Sequence, residues 1–88
     1  MFNKPRILFV DDDENLLKGL KRSLMSQRKE WEMDFCHEPL NALKVVGRFH
    51  YDVIVTDLRM PGMTGVELLQ RVCLLSPNTA RIILSGHV

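Results

Sequence analysis

The sequence has few cysteines, no long apolar run and almost no net charge, and each shortage excludes a class of protein. Its two cysteines, Cys36 and Cys73, are far apart and lack the C-x-x-C spacing of zinc and redox sites. We therefore expect two buried free thiols, as in proteins of a reducing compartment. No apolar stretch approaches the roughly 20 residues that span a bilayer, and the N-terminus lacks a signal-peptide core. A cytoplasmic protein without a membrane partner is expected.

Length and charge restrict the remaining possibilities. The chain has 88 residues, 45% of them hydrophobic, and we expect one domain spanning residues 1–88. Its 12 basic and 11 acidic residues leave a net charge of +1. The basic residues are scattered rather than gathered on one face, so direct binding to nucleic acid is not predicted.

Short apolar segments alternate with helical patterns along the whole chain. Strands are predicted at residues 7–10 and 31–36, within 51–56, and at 82–85. Helices are predicted at residues 14–27, from Glu38 and Pro39 onward, and from the capping box at Thr64 to about Leu75. Since βαβ crossovers are right-handed, the order βαβαβαβ predicts an α/β fold with a doubly wound parallel sheet and helices on both faces.

Three aspartates and a serine follow the carboxyl ends of the predicted strands. Asp11 and Asp12 follow the first strand, Asp57 lies just past the third, and Ser85 ends the fourth. In an open α/β sheet these ends meet at one rim, where ligands bind. Carboxylates packed together raise one another's pKa values unless a cation neutralises them, which predicts a site for Mg²⁺.

Asp57 is the predicted nucleophile of this site. It stands alone on its strand, whereas Asp11 and Asp12 are adjacent and better placed to hold a metal ion. An aspartate beside Mg²⁺ can attack phosphorus and form an aspartyl-phosphate. Asp13 and Glu14 are expected instead to begin the first helix, because acidic residues there interact favourably with the helix dipole.

The segments ILFVDDDENL, DVIVTDLRMPGMTGVELL and RIILSG resemble the receiver domain of two-component response regulators over essentially the whole chain. The most specific part is the D-x-x-M-P-G-M-x-G segment that starts at Asp57. The resemblance implies a flavodoxin-like fold and a phosphoacceptor domain rather than an ordinary enzyme. It implies that Asp57 accepts a phosphoryl group from a histidine kinase or phosphotransfer protein. It further implies that Asp11, Asp12, Asp57 and the Arg59 backbone carbonyl hold Mg²⁺, and that Ser85 is the switch hydroxyl.

The sequence departs from that family by stopping early. Receivers continue through a fourth helix, a fifth strand with a phosphate-binding lysine and a fifth helix, none of which precedes Val88. We therefore expect a C-terminally incomplete receiver domain whose fourth strand is an exposed edge. Such a chain is expected to be a piece of a longer protein, or to form a homodimer or strand-exchanged dimer through the open sheet edge.

Other functions compete with phosphoryl acceptance. A receiver-like fold can serve as a protein-interaction or dimerisation module that is not phosphorylated. A phosphohydrolase of the haloacid dehalogenase type also pairs a strand-end aspartate with an acid two residues on, as Asp11 and Asp13 are spaced, but it leaves the DLRMPGM segment unexplained. An EF-hand calcium loop starting at Asp11 is excluded, because Leu16 occupies its glycine position and Arg22 that of its bidentate glutamate.

Overall fold

The computed structural model describes residues 4–84, which contain a four-stranded parallel sheet flanked by helices. The strands are β1 (Arg6–Val10), β2 (Glu32–Cys36), β3 (Val53–Asp57) and β4 (Ala80–Leu84). The helices are α1 (Glu14–Ser23), α2 (Pro39–Arg48) and α3 (Gly65–Leu75), with a 3₁₀ helix at Met25–Lys29. The predicted βαβαβαβ order is confirmed.

The strands lie side by side in the order β2-β1-β3-β4. The chain passes from β1 to β2 on one side and then returns to β3 on the other side of β1, so the strand order reverses between β1 and β3. Right-handed crossovers place α1 on one face of the sheet and α2 and α3 on the other, where these two helices contact each other. The doubly wound, flavodoxin-like prediction is therefore correct.

The face of the sheet under α2 and α3, called here the closed face, carries the main core. Alternate residues of β1 and β3 point to this face, and the two helices cover them. The buried cluster consists of Leu8, Val10, Ala42, Val46, Tyr51, Ile54, Met60, Met63, Leu68 and Val72. Its members come from two strands, two helices and the loops between them, so this core holds the carboxyl ends of β1 and β3 in position.

Within residues 4–84, the opposite face, called here the open face, is covered by α1, and the 3₁₀ helix contacts β2. Phe9 and Leu17 are buried there, and the Phe9 ring stacks on that of Phe35 with 5.1 Å between centroids. Helix α1 does not reach β4, where Ile82 and Leu84 are 45% and 54% exposed. The prediction that the fourth strand forms an exposed edge is confirmed, because every residue of β4 is exposed.

The first helix is shorter than the predicted span of residues 14–27. It ends at Ser23, and the chain then tightens into the 3₁₀ helix. The tightening is visible in the backbone, where the N–H groups of Gln27 and Glu30 donate to carbonyls three residues earlier, at 2.9 and 2.8 Å. The N–H of Leu24, the last leucine at helical spacing, still donates to the Leu20 carbonyl at 2.9 Å, and the 3₁₀ hydrogen bonds begin after it.

Two smaller predictions need correction. Both cysteines are free, but Cys36 is only half-buried and Cys73 is exposed. Cys73 follows Val72 on α3, and one residue along a helix turns the side chain by about 100°, away from the core that Val72 enters. Asp57 is the last residue of β3 rather than the first residue after it. Within residues 4–84, no helix has the length and apolar composition needed to cross a membrane.

Candidate functional site

Three aspartates meet at the carboxyl end of the sheet, as predicted. Asp11 and Asp12 follow β1, and Asp57 ends β3, its neighbour in the sheet. Val10 lies opposite Thr56 in the register of the two strands, so both strands end at the same level. One carboxylate oxygen from each aspartate lies within 4.8 Å of the others. The predicted convergence of Asp11, Asp12 and Asp57 is confirmed.

The charges of this cluster favour a bound cation. Partial burial raises the pKa of Asp11, and the negative charges of Asp57, Asp12 and Asp13 raise it further. The Asp13 N–H, which donates to Asp11 Oδ1 at 2.9 Å, opposes this rise in pKa. Three carboxylates that share so small a space offer only oxygen ligands, which hard divalent cations prefer. The cluster fits Mg²⁺ by its donor atoms and by its uncompensated charge.

Asp13 is separated from the cluster by its role as the N-cap of α1. Its Oδ1 atom accepts hydrogen bonds from the backbone N–H groups of Asn15 and Leu16, at 3.0 and 3.1 Å. Glu14 lies in the first turn of the same helix. The prediction that these two acids begin the helix, rather than join the metal-binding residues, is correct.

Gly65, the first residue of α3, is absent from the predicted site residues but positions Asp57. Its N–H donates to the Leu58 carbonyl at 2.8 Å, and a Cβ atom at this position would collide with the Asp57 carbonyl oxygen. Only glycine allows the start of α3 to approach the end of β3 so closely. The signal for this role is in the sequence, since Gly65 is the final glycine of the D-x-x-M-P-G-M-x-G segment.

Thr56 is a second positioning residue absent from the predictions. It is fully buried, and its hydroxyl donates to the Asp57 carbonyl at 3.0 Å and contacts the Met60 sulfur at 3.8 Å. Met60 and Met63 are themselves buried in the main core, so the loop after Asp57 is held at both ends. Strand alternation indicates that Thr56 shares the face of Ile54, but no local pattern shows which atoms its hydroxyl contacts.

Comparison with known proteins agrees with this geometry. The family model described as the response regulator receiver domain matches residues 7–88. The chain belongs to this family of receiver domains. It is therefore a receiver domain of a two-component response regulator, and the haloacid dehalogenase alternative is discarded.

Individual relatives span a wide range of organisms. This receiver domain is 34% identical over 88 residues to the transcriptional regulatory protein GlrR of Escherichia coli, and the match covers 99% of the chain and 19% of the relative. A solved signal receiver domain of an HD domain-containing protein from Pseudomonas fluorescens is 29% identical with a TM-score of 0.88, over 97% of this chain and 66% of that one.

A third relative contains the modification that was predicted for this family. It is a solved response regulator protein from Burkholderia pseudomallei with a phosphorylated aspartic acid and a calcium ion, 27% identical with a TM-score of 0.82. The match covers 97% of this receiver domain and 49% of that chain. The receiver domain thus spans about a fifth of the first curated relatives and just under two thirds of the first solved one.

Two predicted site residues are not tested by this geometry. Arg59 lies two residues after Asp57 in the loop that leads to α3, with its side chain exposed. The metal-binding role of its backbone carbonyl stays a prediction for this receiver domain. Ser85 lies outside the described residues, so its role as the switch hydroxyl also stays a prediction.

Proposed function

We propose that this receiver domain accepts a phosphoryl group on Asp57 from a phosphohistidine of a histidine kinase or phosphotransfer protein, in a reaction that depends on Mg²⁺. The observation that carries the proposal is the cluster in which oxygens of Asp11, Asp12 and Asp57 lie within 4.8 Å of one another. The phosphorylated aspartic acid in the related Burkholderia protein supports it.

The proposed transfer exchanges one bond to phosphorus for another. A carboxylate oxygen of Asp57 attacks the phosphorus, the O–P bond forms, and the N–P bond to the donor imidazole breaks. The electron pair of that bond returns to the imidazole nitrogen, which takes up a proton. Thr56 and Gly65 contact the backbone carbonyl of Asp57 and so hold the backbone from which its carboxylate reaches the donor.

Asp11, Asp12, Asp57 and the backbone carbonyl of Arg59 would hold the Mg²⁺ ion. When bound, the ion supplies positive charge that balances the phosphoryl oxygens during transfer. The hydroxyl of Ser85 would donate to one of those oxygens once the phosphoryl group is attached. These roles follow from the family resemblance at each position and from the oxygen-only donor set of the cluster.

Phosphorylation is proposed to shift the population of two conformations and so to switch a binding or oligomerisation surface. The exposed β4 edge is the proposed surface for a homodimer or a strand-exchanged dimer. The free thiols of Cys36 and Cys73 support a cytoplasmic setting for this signalling role. An acceptor of this kind takes part in its own phosphorylation and dephosphorylation without being an ordinary enzyme.

Incubation with acetyl phosphate and Mg²⁺, followed by intact-mass measurement, tests the acceptor function. We expect the wild-type protein to gain one phosphoryl group, and Asp57→Asn to gain none. Glu30→Gln is the matched control, because it also exchanges a carboxylate for an amide but lies after the 3₁₀ helix, away from the cluster. Chelation of Mg²⁺ by EDTA is expected to prevent the gain.

Each alternative outcome has a definite meaning. An unchanged mass in the wild-type protein would overturn phosphoryl acceptance and favour the second candidate, an interaction module that uses the exposed β4 edge without being phosphorylated. A mass gain in Asp57→Asn would show that the acceptor residue is assigned wrongly.

A further inference from the structure

The edge of the sheet opposite β4 carries a second feature, which the acceptor site does not use. The outer side of β2 forms one wall of a groove of about 450 Å³. Lys21 of α1 and Met25 and Arg28 of the 3₁₀ helix form the facing wall, and Trp31 lies where β2 begins. We refer to this feature as the β2 groove.

The backbone of β2 presents hydrogen-bonding groups to the β2 groove. The Glu32 N–H donates to the Pro5 carbonyl at 2.8 Å, and the Cys36 carbonyl accepts from the Asp11 N–H at 3.1 Å. In a parallel ladder both backbone groups of one residue point to the same neighbouring strand, and successive residues alternate. The backbone groups of Glu32 and Cys36 therefore point to β1. The N–H and C=O groups of Met33 and Phe35 point outward, where they can form hydrogen bonds with an added strand.

The charges around the β2 groove select the kind of strand that fits. On the closed face, Arg6 forms ion pairs with Glu32 and Asp34, at 3.4 and 4.0 Å, so one positive charge offsets two negative ones and this side keeps a net negative charge. On the other side, Lys21 and Arg28 form no ion pair with any residue between 4 and 84. Lys4 also lines the groove, and its Nζ donates to the Arg28 carbonyl at 3.3 Å, so it adds to the positive charge on this side.

A peptide fits this arrangement better than a nucleic acid does. The outward N–H and C=O groups of Met33 and Phe35 repeat at the spacing of a peptide strand. The carboxylates of Glu32 and Asp34 at the same edge would repel the phosphates of a nucleic acid. Met25 and Met33 add apolar surface beside the two basic residues. The methylene groups of glutamate side chains can contact this apolar surface.

We propose that the β2 groove binds an extended acidic segment of another protein, which adds to the sheet as a strand beside β2. Alternate side chains of this segment face Lys21 and Arg28 and are acidic. The side chains between them face Glu32 and Asp34 and are polar and uncharged. This interaction is independent of phosphoryl acceptance at Asp57.

Trp31 offers a direct measurement, because it is the only tryptophan in the chain and it lines the β2 groove. The probe is the capped heptapeptide Glu-Thr-Glu-Thr-Glu-Thr-Glu, with a counterpart in which lysine replaces each glutamate. We expect the acidic peptide to cause a saturable change in Trp31 fluorescence and to shift the amide resonances of Met33 and Phe35. The lysine peptide is expected to cause neither change.

Two variants separate strand addition from simple charge attraction. Lys21→Glu combined with Arg28→Glu changes two exposed side chains and is expected to weaken binding about tenfold or more. Met33→Pro removes an outward N–H without removing a hydrogen bond to β1, so it is expected to abolish binding while the protein stays folded. Met33→Thr keeps the N–H and is expected to bind the acidic peptide.

Several results would overturn the proposal. Equal binding of the acidic and the lysine peptide would contradict the role of charge. Undiminished binding of the acidic peptide to the variant with Lys21→Glu and Arg28→Glu would also contradict it. This second test does not depend on whether Met33→Pro folds. Binding to folded Met33→Pro as tight as to the wild type would exclude strand addition. A change in Trp31 fluorescence with an oligothymidylate, but not with the acidic peptide, would assign the groove to nucleic acid instead.

Discussion

The two faces of the sheet carry similar apolar residues but differ in how much water reaches them. On the closed face, Ile54 and Leu68 are 0% exposed, because α2 and α3 cover β1 and β3. On the open face, Ile82 and Leu84 of β4 are 45% and 54% exposed. Complete burial of such a side chain contributes about 1.5–3 kcal/mol relative to leaving it in water. The closed face therefore stabilises the fold and positions Asp57, and the open face leaves apolar surface in contact with water.

Truncation of a core leucine is expected to give the largest contrast between the two environments. Leu68→Ala should lower the free energy of unfolding by about 2–5 kcal/mol, because it leaves a cavity between α3 and the sheet. Leu74→Ala removes the same atoms from the same helix, but at a position that is 86% exposed. It should change the free energy of unfolding by less than about 0.5 kcal/mol. Equilibrium unfolding in urea measures both, and equal losses would contradict the assignment of the closed face.

The contact between α3 and the end of β3 is expected to show the next largest effect. Gly65→Ala should lower the free energy of unfolding by about 1–3 kcal/mol, because its Cβ would collide with the Asp57 carbonyl oxygen. Gly47→Ala is the matched control, since a Cβ at that position of α2 meets no atom within 4 Å and alanine favours the helix by about 0.5–1 kcal/mol. Urea unfolding is expected to give opposite signs for the two variants.

The only tyrosine tests a polar contact at the border of the closed face. The buried Tyr51 hydroxyl donates to Asp34 Oδ2 at 2.6 Å, and burial, followed by this hydrogen bond, raises its pKa. Tyr51→Phe should cost about 1 kcal/mol, because water can replace the lost donor at the half-exposed Asp34. Asp34→Asn keeps an acceptor for the hydroxyl and should cost less. A larger loss in Asp34→Asn than in Tyr51→Phe would contradict this account.

The smallest effect on stability is expected on the open face. Ile82→Thr keeps a β-branched side chain on β4 and should change the free energy of unfolding by less than about 0.5 kcal/mol. Ile54→Thr, the same change on the closed face, places a hydroxyl among apolar side chains and should cost several times more. Similar urea midpoints for the two variants would show that the faces do not differ as described.

Much of the fold and most of the site could be predicted from local patterns. The acids after β1 and at the end of β3, the N-cap at Asp13 and the capping box of Thr64 and Glu67 are all as expected. These features depend on residues close together in the sequence, whose spacing matches a strand, a helix or a cap. The end of α1 at Ser23 was not predicted, because Leu24 continues the helical spacing of the leucines one residue past it.

The sequence by itself determined which residues form strands and helices and which side chains stand at their ends. Only the tertiary structure decided that β1 and β3 are neighbours, that Gly65 contacts Asp57, and that the outward backbone of β2 lies beside Lys21 and Arg28. Strand order and contacts between helix and strand depend on how distant segments exclude water together. A pattern of period 2 or 3.6 describes one segment and carries no information about its neighbour in space.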